Sequence, residues 1–353
     1  MINAPRGVED ILPPRAFFYF YLEKKAFELF SLYGYKQIRI PTFEKTELFL
    51  ISVGEETDVG KQMYTFKDRA GRSLSLRPEG TAGIVRCFIE KKLYGKEKQW
   101  RVCYAGQMFR YEKPQAGRLR EFYQIGAECF GEKNPWVDVE LIKMASTFLN
   151  GLGLDGLEIQ INSIGCRDCR GKYILKLKDY LKEHLEKLCS VCTRRFETNP
   201  LRILDCKNKN CKNLLKEAPQ IKDSLCQMCR EHFDSVKKGL EKMGVFYREN
   251  PYLVRGLDYY TRTIFEIISP YLGAQDAVCA GGRYDDLIEQ LGGPPTPATG
   301  FAIGVERLLL SLEKAGINLP QPPSPPVFLA FSDSGAIDEG LKLAEEIRKM
   351  NIG

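Results

Sequence analysis

The chain has 353 residues, 44% hydrophobic and 28% charged, with a net charge of +6. That length exceeds what one core supports, so two or three globular domains are expected, and no apolar run approaches the roughly 18 residues of a membrane helix, which excludes a helical membrane protein. The opening MINAPRGVEDILPPR lacks a basic flank followed by an apolar run, so no signal or transit peptide is expected, the location reads as cytoplasmic, and the twelve cysteines read as reduced core thiols or metal ligands.

Ala16 to Tyr33 carries apolar residues at helical spacing and closes on Gly34, which predicts a helix. YKQIRIP, MYTFKD and SLSLRP, bounded by Gly, Pro and Asp, read as strands, as do the longer WRVCYAGQMFRYE and EFYQIGAECFG around the loop KPQAGRLR. VDVELIKMASTFLNGLG restores helical period, and GLEIQINSIG is strand-like. Cysteine pairs and Lys-rich helical patterns then interrupt the strands, after which NPYLVRGLDYYTRTIFEIIS returns to strand composition and TPATGFAIGVERLLLSLEKAG reads as a closing helix. PQPPSPP is a stiff linker; beyond it VFLAF and IDEGLKLAEEIRKM read as one strand and one helix, too little for an independent core. The expected fold class is α+β, an antiparallel sheet flanked by helices. Its expected divisions are a core in two parts, 1–165 and 246–319, around a basic, Cys-rich helical insertion at 166–245, then a linker at 320–325 and the start of an α/β domain at 326–353.

Charge is unevenly spread. Residues 166–245 hold 19 Lys plus Arg against 11 Asp plus Glu, an excess of +8 in a chain whose total is +6. The excess suits a phosphate-facing surface for nucleic acid and equally suits solvated helix faces. His184 and His232, the only histidines, both lie in this segment, which argues against a mechanism built on a catalytic histidine.

Strand alternation puts Arg110 with Glu112 on one face of the first long strand, and Phe122, Gln124 and Glu128 on one face of its partner. Charged, amide and aromatic groups sharing a face suit a lined ligand cleft, although the same face taken alone fits a solvated sheet surface. The wider pattern favours the cleft. LRPEGTAGIVR, QMFRYEKPQAGRLREFYQIGAECFG, LVRGLDYYTRTIFE and GGRYDDLIEQLGGPPTPATGFAIGVERL closely resemble, in this order, four signature blocks of the histidyl-tRNA synthetases, a class II aminoacyl-tRNA synthetase family. RGVEDILPP resembles that family's opening and RIPTFEKTELF its dimer-forming first motif, so the resemblance spans residues 6–309.

The resemblance implies a class II synthetase fold, a homodimer, and an ATP-dependent histidine–tRNA ligase. Mg²⁺-ATP and L-histidine would bind, the carboxylate would attack the α-phosphate, pyrophosphate would leave, and the adenylate would pass histidine to the 3′ end of tRNA(His). Carried over position by position, Arg110 resembles the arginine that grips the α-phosphate and the substrate carboxylate, and Arg118 one that meets the terminal phosphates. Glu112 would accept from the adenine amino group, with Phe122 stacked on one side of the ring and Arg307 closing the other. Glu79, Thr81, Gln124, Glu128, Tyr259 and Tyr260 would read the amino acid, with Arg255 at the reacting carboxylate, so Arg110 and Arg255 are the catalytic candidates. Fixed guanidinium groups offset the charge that develops on phosphorus. A buried carboxylate, an amide and tyrosine hydroxyls can satisfy the nitrogens of histidine, and an apolar isostere would leave them unpaired. Because adjacent strand residues face opposite ways, at least one of Tyr259 and Tyr260 is expected to be structural.

Cys166-x-x-Cys169, Cys189-x-x-Cys192 and Cys226-x-x-Cys229 have zinc-ligand spacing, with Cys206, Cys211 and His232 nearby. Cys189, Cys192, Cys226 and Cys229 are the candidate structural zinc ligands, set against a reading of all these cysteines as buried thiols, since the family does not require zinc. Cys87, Cys103, Cys129 and Cys279 read as core residues. GGRYDD and LGG lack the ending of a Walker loop. The rival functional reading is a paralogue that keeps this fold as the histidine-sensing regulatory subunit of the ATP phosphoribosyltransferase complex. Arg110, Arg118, Arg255, Arg307 and the insertion argue against it, and the short C-terminal segment, where family members continue into a full anticodon-binding domain, argues for it. A ligase that activates a carboxylate without tRNA is a third reading, and it leaves the basic insertion unexplained.

Overall fold

The computed structural model describes residues 2–55, 57–273, 276–331 and 333–351, apart from the side chain of Ser334. Met1, Glu56, Ala274, Gln275, Ser332, Ile352 and Gly353, which the expected segments 1–165, 246–319 and 326–353 include, lie outside the described residues. The strands are β1 Lys36–Gln37, β2 Phe43–Lys45, β3 Thr65–Lys67, β4 Ser73–Leu76, β5 Trp100–Phe109, β6 Glu121–Phe130, β7 Glu158–Ser163, β8 Arg248–Glu249, β9 Thr261–Ile268, β10 Ala277–Arg283 and β11 Ala298–Gly304. The helices are α1 Arg15–Leu32, α2 Thr46–Val53, α3 Asp58–Lys61, α4 Thr81–Glu90, α5 Trp136–Gly151, α6 Arg167–Lys182, α7 Ser190–Thr198, α8 Lys209–Leu215, α9 Gln227–Lys242, α10 Leu287–Gln290, α11 Val305–Lys314 and α12 Ile337–Lys349. The fold is α+β.

Eight strands form one sheet in the order β1-β5-β6-β11-β10-β9-β7-β8, and β2-β4-β3 form a small second sheet. The large sheet is antiparallel from β5 through β7, but β1 joins β5 and β8 joins β7 in parallel, so it is mixed at both edges rather than wholly antiparallel. Strands from before and after residues 166–245 share this one sheet, and the chain leaves it after β7 and returns as β8 beside β7. The predicted first helix forms, burying Leu22, Ala26 and Phe30 at four-residue spacing and ending where Gly34 turns with φ of +80°. Phe30 meets Phe148 of α5 and Phe301 of β11 at centroid distances of 6.0 and 5.6 Å, which seats the helices on the sheet.

Several sequence expectations change. YKQIRIP contributes only two strand residues, and within NPYLVRGLDYYTRTIFEIIS the strand begins at Thr261, because the preceding residues turn. The expected closing helix starts only at Val305: Ala298–Gly304 is instead a central strand, held between β6 and β10, where its glycines let neighbouring groups approach closely.

Two compact units are distinguished: Met1–Asp10 with Leu22–Asn318, and Ile11–Tyr21 with Leu319–Gly353. In the second, α12 forms as predicted, and Gly340 leaves room for the ring of Phe331. VFLAF does not form the predicted strand; among the described residues it pairs with no other, and an unpaired strand leaves its backbone groups without ladder partners.

Candidate active site

The middle of the large sheet forms the wall of a cavity of about 650 Å³. Every substrate residue expected from sequence lines it: Glu79, Thr81, Arg110, Glu112, Arg118 and Phe122, together with Gln124, Glu128, Arg255, Tyr259, Tyr260 and Arg307. Phe122, Gln124 and Glu128 share a face of β6, as alternation requires, and the antiparallel register sets Glu128 opposite Val102 of β5 and Gly300 of β11. β5 ends at Phe109, so Arg110 and Glu112 belong to the following loop rather than to a strand face. The loop is closed on itself: Arg110 N–H donates to the Arg120 carbonyl at 2.9 Å, and Gln115 and Arg118 exchange backbone hydrogen bonds around Gly117, whose φ is +71°.

At the cavity floor Glu128 is 1% exposed. Its Oε1 accepts from the Thr81 hydroxyl at 2.7 Å and its Oε2 from the Tyr284 hydroxyl at 2.5 Å. Burial pushes its carboxyl up to about 8, and the two hydroxyls pull it back only in part. Glu79 plays a different part: its two oxygens accept from the backbone N–H groups of Thr81 and Ala82 at 2.6 and 2.8 Å, capping the start of α4 and fixing Thr81 beneath Glu128. Burial also raises the Glu79 carboxyl. Glu128 fits because Gly300 faces it: a Cβ there would overlap Oε2 and come within 2.6 Å of Cδ and 2.7 Å of the Ala127 carbonyl oxygen. Gln124 Oε1 is buried without a hydrogen-bond partner among the described residues, an acceptor left for a ligand.

Tyr259 and Tyr260 both line the cavity, their rings 4.7 Å apart, and Tyr259 meets Tyr284 edge-on at 5.5 Å. Both precede β9 and lie outside any strand, so the strand alternation behind the expectation that one faces away does not govern them. Sequence reading missed Tyr284, Glu266 and Gly300. Two signals were present, since Tyr284 sits in GGRYDD and Glu266 is a lone acid in the apolar run of β9, whereas Gly300 comes opposite Glu128 only through the pairing of β11 with β6.

The other side of the cavity is cationic. Arg110 Nε donates to the Pro78 carbonyl at 2.8 Å while its guanidinium lies 5.1 Å over Phe122. Burial lowers its affinity for a proton, and Arg307, near the start of α11, is pushed down to about 10 by burial and then by the charge of Arg118. Arg118 is held by Glu112 at 2.9 Å and Arg255 by Glu266, with Arg255 also 5.7 Å from the Tyr260 ring centroid. A polar carboxylate floor beneath several arginines can take a small molecule with a hydrogen-bonding side chain at one end and anionic groups at the other. Residues Arg195, Arg202, Asp205 and Lys207 of the basic segment line the same cavity, and Arg195 and Arg202 reach Asp58 at 3.4 and 3.0 Å.

The cysteines group differently from the expected set. Cys189, Cys192, Cys226 and Cys229 do not converge; Cys226 and Cys229 meet Cys166 and Cys169, while Cys189 and Cys192 meet Cys206 and Cys211. The chain path explains this, because α9 returns Cys226 to the start of α6 whereas α7 and α8 close on each other.

Residues 7–308 match the family described as histidyl-tRNA synthetase. A histidine–tRNA ligase of Caldanaerobacter subterraneus subsp. tengcongensis is 52% identical over 349 residues, covering 99% of this chain and 84% of the relative. The crystal structure of apo S. aureus histidyl-tRNA synthetase superposes with a TM-score of 0.82 at 38% identity, covering 99% of this chain and 83% of that one. A Bacillus halodurans C protein described as an ATP phosphoribosyltransferase regulatory subunit/histidyl-tRNA synthetase has a TM-score of 0.70 at 23% identity, covering 100% of this chain and 92% of that one, a likeness of fold alone. The matched family and the identity across almost the whole sequence show that this chain belongs to the histidyl-tRNA synthetase family.

Proposed function

We propose that the chain is a histidine–tRNA ligase that activates L-histidine with ATP, bound as its Mg²⁺ complex, and transfers it to the 3′ end of tRNA(His). The observation that carries this reading is the pairing, in one cavity, of a buried Glu128 held by two hydroxyls with an opposite wall of Arg110, Arg118, Arg255 and Arg307. In this reading Glu128, Gln124 and the tyrosines receive the imidazole and amino nitrogens, and Arg255 and Arg110 orient the carboxylate beside the α-phosphate. The carboxylate oxygen bonds to phosphorus as the bond to pyrophosphate breaks. A terminal ribose hydroxyl of tRNA then attacks the acyl carbon and AMP leaves. The adenine would lie between Phe122 and Arg307, with Glu112 accepting from its amino group and Arg118 facing the outer phosphates. Arginines already held by Glu112, Glu266 and the Pro78 carbonyl offset developing charge with little reorganisation.

Residues 1–165 and 246–319 would form the catalytic core, with the basic 166–245 segment facing the tRNA acceptor end, 320–325 as linker and 326–353 beginning an anticodon-binding-like domain. A cytoplasmic location belongs to the same reading. No described helix is long and apolar enough to cross a membrane. A homodimer through the first motif is supported by the exposed, mutually contacting rings of Phe43 and Phe66 on the small sheet. The regulatory-subunit reading is not favoured, since the 52% identity is to a ligase and the regulatory likeness extends only to fold.

Histidine-dependent exchange of pyrophosphate into ATP tests the first step. Exchange should occur with the wild type and fall at least about 100-fold in Arg255→Ala; no exchange in the wild type would refute activation. Adding tRNA(His) should then give aminoacylated tRNA, and failure at that stage alone would refute only transfer.

A further inference from the structure

Eight of the twelve cysteines lie between residues 166 and 229, and all eight fall into two groups of four. In each group the sulfur atoms lie within 4.8 Å of one another. Cys166 and Cys169 have sulfurs 3.5 Å apart, and Cys189 and Cys206 have theirs at 3.8 Å. These spacings are far beyond an S–S bond of about 2.05 Å. They match the edge of about 3.8 Å that a tetrahedron with Zn–S bonds of about 2.3 Å must have.

The surroundings are built for thiolates. Cys166, Cys189 and Cys226 each precede the first turn of a helix, α6, α7 and α9, so each CxxC pair turns two sulfurs inward from a helix start. Backbone N–H groups of Cys166, Cys189 and Cys226 donate to the sulfurs of Cys229, Cys211 and Cys169 at 3.3, 3.3 and 3.0 Å. Each donor thus aims at a sulfur from the other end of its own group, the outer shell that fixes a metal's ligands. Cys169, Cys192, Cys206, Cys211 and Cys229 are buried, while Cys87, Cys103, Cys129 and Cys279 join no such group among the described residues. Ordinary buried thiols would not require this selective convergence.

We propose that the chain carries two structural Zn²⁺ ions, one on Cys166, Cys169, Cys226 and Cys229 and the other on Cys189, Cys192, Cys206 and Cys211. The four soft sulfurs and the closed, ligand-complete sets select a structural ion with no open position for substrate. The first ion fastens the start of the basic segment to its last helix, closing a long excursion at its base. The second ties α7 to α8 and so holds the loop bearing Arg202, Asp205 and Lys207, which lines the active-site cavity beside Cys189 and Cys206. The assignment is independent of the ligase reading, since it concerns metal content and not turnover.

The test is metal analysis of the 353-residue chain purified without chelators and freed of loose metal by gel filtration. Two zinc ions per chain are expected, released together with eight titratable thiols by a mercurial reagent and captured by a colorimetric chelator. Cys169→Ala and Cys192→Ala should each retain one ion. Should either variant fail to fold, Co²⁺ added to metal-stripped wild type should give the tetrahedral tetrathiolate spectrum and saturate at two equivalents. Zinc below about one-fifth of an ion per chain, visible iron absorption, a single ion lost by both variants, or cobalt saturating at one equivalent would overturn the proposal.

Discussion

Replacing Gly300 with alanine tests the cavity floor without replacing any side chain expected to contact ligand. The new Cβ would overlap Glu128 Oε2 and crowd its Cδ at 2.6 Å, and the Ala127 carbonyl at 2.7 Å blocks relief in another direction. Glu128 must therefore swing off the Thr81 and Tyr284 hydroxyls that hold it at 2.7 and 2.5 Å. Overpacking a close-packed site typically costs about 1–3 kcal/mol in stability. Leaving a buried polar group without its hydrogen-bond partner costs about 1–3 kcal/mol, which corresponds to about a 5- to 150-fold fall in kcat/KM for histidine. Pyrophosphate exchange should show that fall, with the KM for ATP nearly unchanged because the arginine wall is separate, and urea unfolding should report the stability loss. A variant within twofold of wild type for histidine and equally stable would refute the account of how Glu128 is held.

Burial raises the Glu128 carboxyl from 4.5 to about 8, so the folded state binds a proton that the unfolded chain has released. Its contribution to stability is full below about pH 4.5 and declines as pH rises through about 8, by up to about 1.4 kcal/mol per pH unit. Glu128→Gln should flatten that slope in urea midpoints measured across the window, and an identical slope in both proteins would contradict it. Asp138 joins His232 at 2.7 Å to Arg283, which is 0% exposed, at 2.9 Å. Asp138→Ala, leaving that guanidinium short of a partner, should cost about 3–5 kcal/mol in urea unfolding; a loss below about 1 kcal/mol would show that Asp285 suffices. Glutamine at the exposed Lys172, Lys176, Lys209 and Lys212 should weaken tRNA(His) binding and reduce its salt dependence while sparing exchange. Unchanged affinity would remove the basic segment from the tRNA surface.

Much of the site was legible because it is written in period-two strands and long motifs. Phe122, Gln124 and Glu128 follow directly from alternation in β6, and their convergence with Glu79 and Thr81 follows from the family-like blocks. What alternation could not give was the backbone outside strands. Arg110 and Glu112 lie in a loop closed by its own hydrogen bonds, and Tyr259 and Tyr260 share one cavity because neither is in a strand. The strand at Ala298–Gly304 was misread because its small, non-alternating residues resemble a helix entry, whereas between β6 and β10 they permit close backbone approach. Pairing of the cysteines depends on how helices return to one another, which CxxC spacing does not encode. Glu266 and Tyr284 escaped notice because an acid holding an arginine and a phenol holding a carboxylate act through a partner brought near only by folding.

The central claim is that this cavity selects histidine through Glu128. It is tested most directly by the ratio of kcat/KM for histidine to that for phenylalanine in pyrophosphate exchange, measured in wild type and in Glu128→Ala. Phenylalanine leaves the polar floor unpaired, so the wild type should prefer histidine by about 10⁴-fold or more and the variant should lose most of that preference through histidine alone. Equal use of the two amino acids by the wild type, or an undiminished preference in the variant, would contradict the account.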